Sequence, residues 1–425
     1  MLDSVKTGFR RINTYISTAG RVAVDQLLTL AAPLRGMRVA HVSATPYGGG
    51  VAEILSSEIP LLRNLGLKAD WKIISADENF FNVTKKIHNA IQGAPYFLTD
   101  KEKQIYIDNS LTNARLFDEQ YDVVVVHDPQ PLALLALGEK GSAQWIWRCH
   151  IDSSEPNSDV WSFLQPYLTH YDAAVFTLAD YIPPQFRECP VKIIAPAIDP
   201  QSQKNMHLDD SRAAEVLQRV GLDLDRPLVT QVSRFDPWKD PIGVISAYRL
   251  AREEVPDLQL ALVGSMAHDD PEAQGIYHQV EDTACGDPNV HLLSNLDGIG
   301  NIEVNALQRF SNSAIQKSIR EGFGLVVAET LWKETPIVAS RTGGIPLQVP
   351  SAEHCLACSV EECAAEIVWL IGHPTEAKAL AKRGKNHIRK RFLLTRMIAD
   401  ELKLYASLLG GNGVGQSRSL RRAPV

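Results

Sequence analysis

Two carboxylates, Glu321 and Glu329, stand eight positions apart in Arg320-Glu321-Gly322-Phe323-Gly324-Leu325-Val326-Val327-Ala328-Glu329. The Gly-Phe-Gly between them is a turn signal, and the apolar run Leu325 to Trp332 reads as the start of a buried helix. That places Glu321 on a loop and Glu329 one turn into a helix. A helix N-terminus offers free backbone N–H groups and the positive end of a dipole, which suits an anion. Gly322, Phe323, Gly324, Leu325 and Val326 frame that anion site. The combination fits a sugar nucleotide, with one carboxylate facing a sugar and the other a ribose.

Ser233-Arg234-Phe235-Asp236-Pro237-Trp238-Lys239 puts two cations on one loop. Arg234 brings a planar fork and Lys239 a point charge, a pairing suited to a diphosphate. Fixed cations lower the barrier when a leaving nucleoside diphosphate gains negative charge. The plain alternative is a surface ion-pair loop. Gly48-Gly49-Gly50 precedes the helical Val51-Ala52-Glu53-Ile54-Leu55 and lets a phosphate approach the backbone, or simply makes a tight turn. It is neither a Walker A loop nor a GxGxxG. Thr342-Gly343-Gly344-Ile345 carries the same two readings, and Gly264 closes another strand-like run.

His150 and Asp152 end one strand-like run, and His127-Asp128-Pro129-Gln130-Pro131 ends another. His150 is either a ligand for a donor-sugar hydroxyl or a satisfied core histidine. Asp128 either binds acceptor hydroxyls or caps the next helix. The stretch Phe80 to Gly93, with His88, Asn89 and Gln92, is a sugar-binding mixture of aromatic, amide and imidazole groups or an ordinary amphipathic helix.

These residues sit at the ends of β-branched runs that alternate with helical patterns. The runs are 37–44, 69–75, 121–127, 144–151, 173–178, 192–198, 227–234, 258–264, 290–294, 313–317 and 336–340. Val123-Val124-Val125-Val126 is apolar on both faces, as in a parallel strand covered on both sides. The expectation is an α/β protein of two doubly wound domains, at roughly 1–220 and 221–395, with ligands outside the strands' carboxyl ends. Residues 199–210 suit the connection, 1–35 a helical appendage, and 396–425 a helix with a disordered tail.

A length of 425 residues suits two domains, since single cores stop growing near about 250–300 residues. The net charge of -7 gives no basic footprint for nucleic acid. No apolar run reaches the roughly 18 residues of a membrane helix, and Asp25 interrupts the run from Val22 to Ala32. Arg10 and Arg11 lead into no signal-peptide core, so a cytoplasmic protein without a membrane partner is expected. Six cysteines suggest reduced thiols. Cys355, Cys358 and Cys363 lack a fourth ligand at zinc spacing, so no metal site is expected.

The Arg-Glu-Gly-Phe-Gly-x4-Glu segment, the Ser-Arg-Phe-Asp-Pro-Trp-Lys loop and the Gly-Gly loop resemble the retaining glycosyltransferases of the glycogen-synthase-like superfamily, which have the GT-B fold. The similarity is closer to glycosyltransferring trehalose synthases. It is carried by 48–55, Phe80 to Thr84, Val126 to Pro131, Trp147 to Asp152 and Met266 to Glu272, and it spans roughly residues 36–400. The resemblance implies two Rossmann-like domains facing a central cleft. It implies reversible, retaining glucosyl transfer from a nucleoside-diphosphate glucose to free glucose, giving α,α-trehalose.

Under that resemblance Arg234 and Lys239 hold the diphosphate, with Gly49, Gly50, Gly264 and the N–H groups of Leu325 and Val326 on the donor side. Glu321 supports positive charge at the donor's anomeric carbon, Glu329 binds the ribose and His150 the donor sugar. Asp128, Asp152, Asn89 and Gln92 shape the acceptor pocket. No tightly bound cofactor is implied, although external Mg2+ could help, and a homodimer is compatible with it. The segment from Val349 to His354 departs from the family in lacking a glycine-containing hairpin. Three rivals stand beside this reading: a trehalose phosphorylase, a retaining transferase with another acceptor, and a non-catalytic binder on the same scaffold.

Overall fold

The computed structural model describes residues 1–47, 49–265, 271–350 and 356–410. Seven strands build the first sheet: β1 (Asp3–Ser4), β2 (Arg38–Ser43), β3 (Lys68–Ile73), β4 (Val123–His127), β5 (Gln144–Cys149), β6 (Ala173–Phe176) and β7 (Val191–Ile193). Five build the second: β8 (Leu228–Arg234), β9 (Gln259–Ser265), β10 (Val290–Ser294), β11 (Ser313–Gln316) and β12 (Ile337–Ala339). Their orders are β1-β3-β2-β4-β5-β6-β7 and β10-β9-β8-β11-β12. The pairing is parallel apart from the antiparallel β1–β3 edge.

The valine run of β4 shows why the sheet is parallel and doubly covered. Successive side chains of a strand point to opposite faces. Val123 and Val125 enter one core, beneath the helices Arg21–Ala31, Gly50–Asn64 and Leu394–Gly410. Val124 and Val126 enter the other, beneath Glu78–Ile91, Asp100–Leu116 and Ser158–Leu168. The second sheet is likewise covered on both faces: Leu260 and Leu262 face one core, Ala261 and Val263 the other.

Strand order fixes where a ligand can sit. The chain moves from β2 to β3 on one side and then to β4 on the other; in the second sheet it moves from β8 to β9 and later to β11. Both sheets therefore reverse direction beside their first long strand, and such a switch point opens a crevice at the carboxyl ends. His127 ends β4 on one side of the cleft, while Arg234 ends β8 and Gln316 ends β11 on the other.

The N-terminal stretch is more than an appendage. Leu2, Ile12, Tyr15, Val24 and Leu27 are buried in the first unit, and Asp3–Ser4 adds the antiparallel edge strand. Two residues are too few to show a strand's period, which is why the sequence reads only as helical there. The helix Leu394–Gly410 returns to this same unit. Buried Arg148 on β5 is bonded to buried Glu401 of that helix and also donates to Met397 Sδ at 3.2 Å. Among the described residues no helix is long and apolar enough to cross a membrane.

Removing one partner of a buried ion pair leaves an uncompensated charge. Glu401→Ala is therefore expected to lower stability by about 3–5 kcal/mol, read from the urea midpoint. A change near zero would show that Arg148 does not depend on Glu401.

Candidate active site

The Glu321 loop lies at the end of β11 and is held from below by its own unit. Glu321 Oε2 receives Lys239 Nζ at 2.6 Å, Gln316 Nε2 at 3.1 Å and Ser318 Oγ at 3.1 Å. The Lys239 and Glu321 side chains are 17% and 10% exposed, so this pair is screened less than a surface ion pair. Lys239 belongs to the short turn Pro237–Lys239 after β8. Asp236, buried at its start, accepts from Trp238 N–H at 2.9 Å and from Arg234 Nη2 at 3.1 Å. One carboxylate thus orients Arg234 and caps the turn that carries Lys239.

The same loop is held from above by the first unit. The Tyr181 hydroxyl donates to the carbonyls of Glu321 and Gly322, at 2.8 and 2.6 Å. A Cβ on Gly322 would stand 2.7 Å from the His150 carbonyl oxygen, so glycine is required for the two units to meet here. Gly343 has φ +54°, and a Cβ there would stand 1.8 Å from the Glu321 carbonyl oxygen. The Thr342-Gly343-Gly344 turn thus receives the Glu321 loop. The space above Gly264 holds the Phe235 ring, 2.2 Å from where a Cβ would be.

His150 and Asp128 face this loop as one unit. Asp128 adopts φ +62°, and its Oδ1 accepts the His150 N–H at 2.8 Å. It ties two strand ends together rather than capping a helix. Burial pushes the Asp128 carboxyl up to about 7, against the N–H bond and Arg148, which pull it down. Asp152 is turned to its own loop, accepting from the Ser154 hydroxyl at 2.7 Å.

Asn89 and Gln92 sit partly buried at the end of the helix Glu78–Ile91, which starts at the Asp77 cap. That end abuts the Glu321 loop, because a Cβ on Gly93 would lie 3.3 Å from the Arg320 guanidinium. His88, the imidazole of the same stretch, is pushed down to about 3 by burial and then by Lys85, Arg234 and Lys239. It is a neutral imidazole within the field of the two cations.

Glu329 lies in the helix Leu325–Trp332 as expected, capped by Gly324 in the left-handed region. Only 2% of its side chain is exposed. Lys204 Nζ lies 3.5 Å away and also pairs with Glu53, while Gln308 Nε2 donates at 3.3 Å. Burial opposes the charge on Lys204, but Glu329 and Glu53 together hold it above the usual lysine range. A cavity lined by Glu53, Ser202, Lys204, Asn301, Leu325 and Glu329 opens there. Gly50 comes within van der Waals reach of Leu325, a Cβ there meeting Leu325 Cδ1 at 3.3 Å. Gly49 caps the helix Gly50–Asn64. Gly48, residues 266–270, residues 351–355 and the tail from 411 lie outside the described residues.

Among the described residues no group of three or more His, Cys, Asp or Glu is placed to hold a metal ion. Cys149, Cys189, Cys285, Cys358 and Cys363 are free thiols. Tyr181 and Lys204 escaped the sequence reading, since nothing in their local pattern marks a partner more than a hundred residues away, and Gln316 escaped it although its partner Glu321 is five residues on.

Two outcomes are expected from this geometry. Gly343→Ala combines a left-handed backbone with a clash against a carbonyl, and should destabilise the protein by about 2 kcal/mol or more. An unchanged melting temperature would contradict the packing. Asp128 binds its proton more tightly folded than unfolded, so stability should fall as pH rises between about 4 and 7. Asp128→Asn should remove that part of the slope in urea titrations run across this range; an identical slope would contradict the raised carboxyl.

Comparison with known proteins agrees with this architecture. Residues 41–183 match the family described as "Trehalose synthase, N-terminal domain", and residues 214–387 match "Glycosyl transferases group 1". The chain is 48% identical to a trehalose synthase of Rubrobacter xylanophilus, over 96% of this chain and 100% of that one. It is 41% identical to a trehalose synthase of Pyrococcus horikoshii, over 95% and 98%. The fold is shared with sucrose-phosphate synthase of Thermosynechococcus elongatus at a TM-score of 0.68 and 17% identity, covering 88% of this chain and 100% of that one. Full-length similarity to trehalose synthases, with two facing parallel-sheet units, means that this chain belongs to the trehalose synthase family and is a glycosyltransferase of GT-B fold.

Proposed function

We propose that the protein transfers glucose, with retention, from a nucleoside-diphosphate glucose to free glucose, giving α,α-trehalose in a reversible reaction. The observation that carries this reading is the Lys239–Glu321 pair, held beside Arg234 and under His150 at the switch points of both sheets. The first unit takes the acceptor and the second the donor. Its small-molecule substrates suit a cytoplasmic enzyme.

In this scheme Arg234, Lys239 and the first-turn N–H groups of Leu325 and Val326 receive the diphosphate. Charge that builds on the leaving phosphate is met by groups already in place. As the anomeric C–O bond breaks, the carbon gains positive character beside Glu321. The acceptor hydroxyl attacks from the same face and passes its proton to the leaving phosphate oxygen, so configuration is kept. Asp128, Asn89, Gln92 and Asp152 orient the acceptor, and His150 the donor sugar. Glu329 binds the ribose once Lys204 yields it. No tightly bound cofactor enters the scheme; external Mg2+ would act on the nucleotide sugar.

Product analysis with glucose and UDP-, ADP- or GDP-glucose, with glucose-1-phosphate as control, tests the reading. Trehalose from a nucleotide sugar is the expected result. Trehalose from glucose-1-phosphate alone would make the enzyme a phosphorylase, and none in any reaction would point to another acceptor. Arg234→Ala and Lys239→Ala should each raise the barrier by about 2–4 kcal/mol. Glu321→Ala should reduce turnover far more than it weakens nucleotide binding. Near-normal kcat in these variants would contradict the assignment.

A further inference from the structure

Two imidazoles, His127 and His41, form a column behind His150 that the transfer scheme leaves unused. His150 Nε2 lies 3.0 Å from His127 Nδ1, and His127 Nε2 lies 3.1 Å from His41 Nδ1. The rings stack with centroids 5.3 Å apart at both steps. At the far end, His41 Nε2 meets Glu58 Oε1 at 3.6 Å and the Tyr405 hydroxyl at 3.4 Å. His41 and Glu58 are fully buried and His127 nearly so, while His150 is only partly buried. Neither Glu58 oxygen has a donor within hydrogen-bond distance, which leaves His41 Nε2 beside a buried, unsatisfied carboxylate.

Burial holds all three imidazoles below the usual histidine range, so the rings are neutral. A neutral imidazole has one N–H and one lone pair, and each N···N contact needs one of each. The three rings must therefore share a tautomer. Either every proton is on Nε2, pointing towards Glu58, or every proton is on Nδ1, pointing outwards from His150. The buried end decides between them. An ionised carboxylate can only accept, and a buried one demands a donor. The Arg148 guanidinium interacts with Glu58 from the neighbouring strand.

We infer that Glu58, acting through His41 and His127, fixes His150 as the Nε2–H tautomer and leaves its Nδ1 as a hydrogen-bond acceptor for a hydroxyl of the donor sugar. This rests on the proposed contact between His150 and that sugar. His41, His127 and Glu58 are positioning residues, since they act through His150. The column gives the site a preference: an acceptor nitrogen rewards a sugar hydroxyl and rejects a deoxy or O-methylated position, because a buried polar group is then left unpaired.

Long-range 15N–1H imidazole spectra of the full-length protein read the tautomers directly, with His150→Ala assigning the signal. The expected pattern is a protonated Nε2 and a bare Nδ1 on all three rings. A proton on Nδ1 of any of them overturns the inference, with no variant needed. Glu58→Gln, whose amide can also donate, should mix the His150 tautomers and raise the donor KM about tenfold with a smaller change in kcat. In a His150→Ala background the same change should leave the donor KM unaltered, because the path runs through that ring. An equal effect in both backgrounds, or an unmoved tautomer in Glu58→Gln, overturns it. His150→Ala with a normal donor KM would instead sink the sugar contact while the spectrum of the native protein stood.

Discussion

A lysine ammonium 2.6 Å from Glu321, and a tyrosine hydroxyl shared between the carbonyls of Glu321 and Gly322, fix the loop on which the whole cleft is built. The lysine comes from the second unit and the tyrosine from the first, so the loop is a wedge gripped by both. The grip tolerates no side chain at Gly322 or Gly343, where the His150 and Glu321 carbonyls come too close. Displacement of the loop would uncouple Glu321 from Lys239 and separate it from His150 in one step. The second carboxylate is treated alike: Glu329 is met by Lys204, which also reaches Glu53 on the facing helix. Each acid of the original pair is thus poised by a lysine, and a diphosphate or ribose would compete for those contacts.

The units also communicate through the chain itself. The backbone leaves the first unit near Ile198 and returns near Leu393, and the two crossings bond to each other, Ile198 N–H to Phe392 at 2.9 Å and Leu394 N–H to Ile198 at 2.9 Å. The two crossings are thus held side by side as a short parallel bridge. The helix Leu394–Gly410 then locks the second crossing to the first sheet through Arg148 and Glu401. Arg148 precedes Cys149 and His150, so the strand that leads into His150 also carries the anchor.

Much of this was legible in the sequence because its signals are local. Apolar, β-branched runs marked the eleven strands after β1, and residues at their carboxyl ends, among them His150, Asp128 and Arg234, fell on the cleft. The Gly-Phe-Gly turn placed Glu321 on a loop and Glu329 in a helix for the same reason. What stayed hidden depends on distance along the chain. Tyr181 and Glu321 are 140 residues apart, and Arg148 and Glu401 are 253 apart, so no spacing rule could pair them. Glycines were less legible: Gly343 reads either as a phosphate cradle or as a plain turn, and the space above it is taken by the Glu321 carbonyl, as that above Gly264 is by the Phe235 ring.

The central claim is that the Glu321 loop and the cations beside it form the donor site. A crystal structure of the complex with a nucleoside diphosphate tests this most directly. The account predicts phosphate oxygens within hydrogen-bond distance of Arg234 and Lys239 and above the N–H groups of Leu325 and Val326, with Lys204 moved off Glu329 by the ribose. A nucleotide bound elsewhere, with the Lys239–Glu321 and Lys204–Glu329 pairs undisturbed, would contradict it.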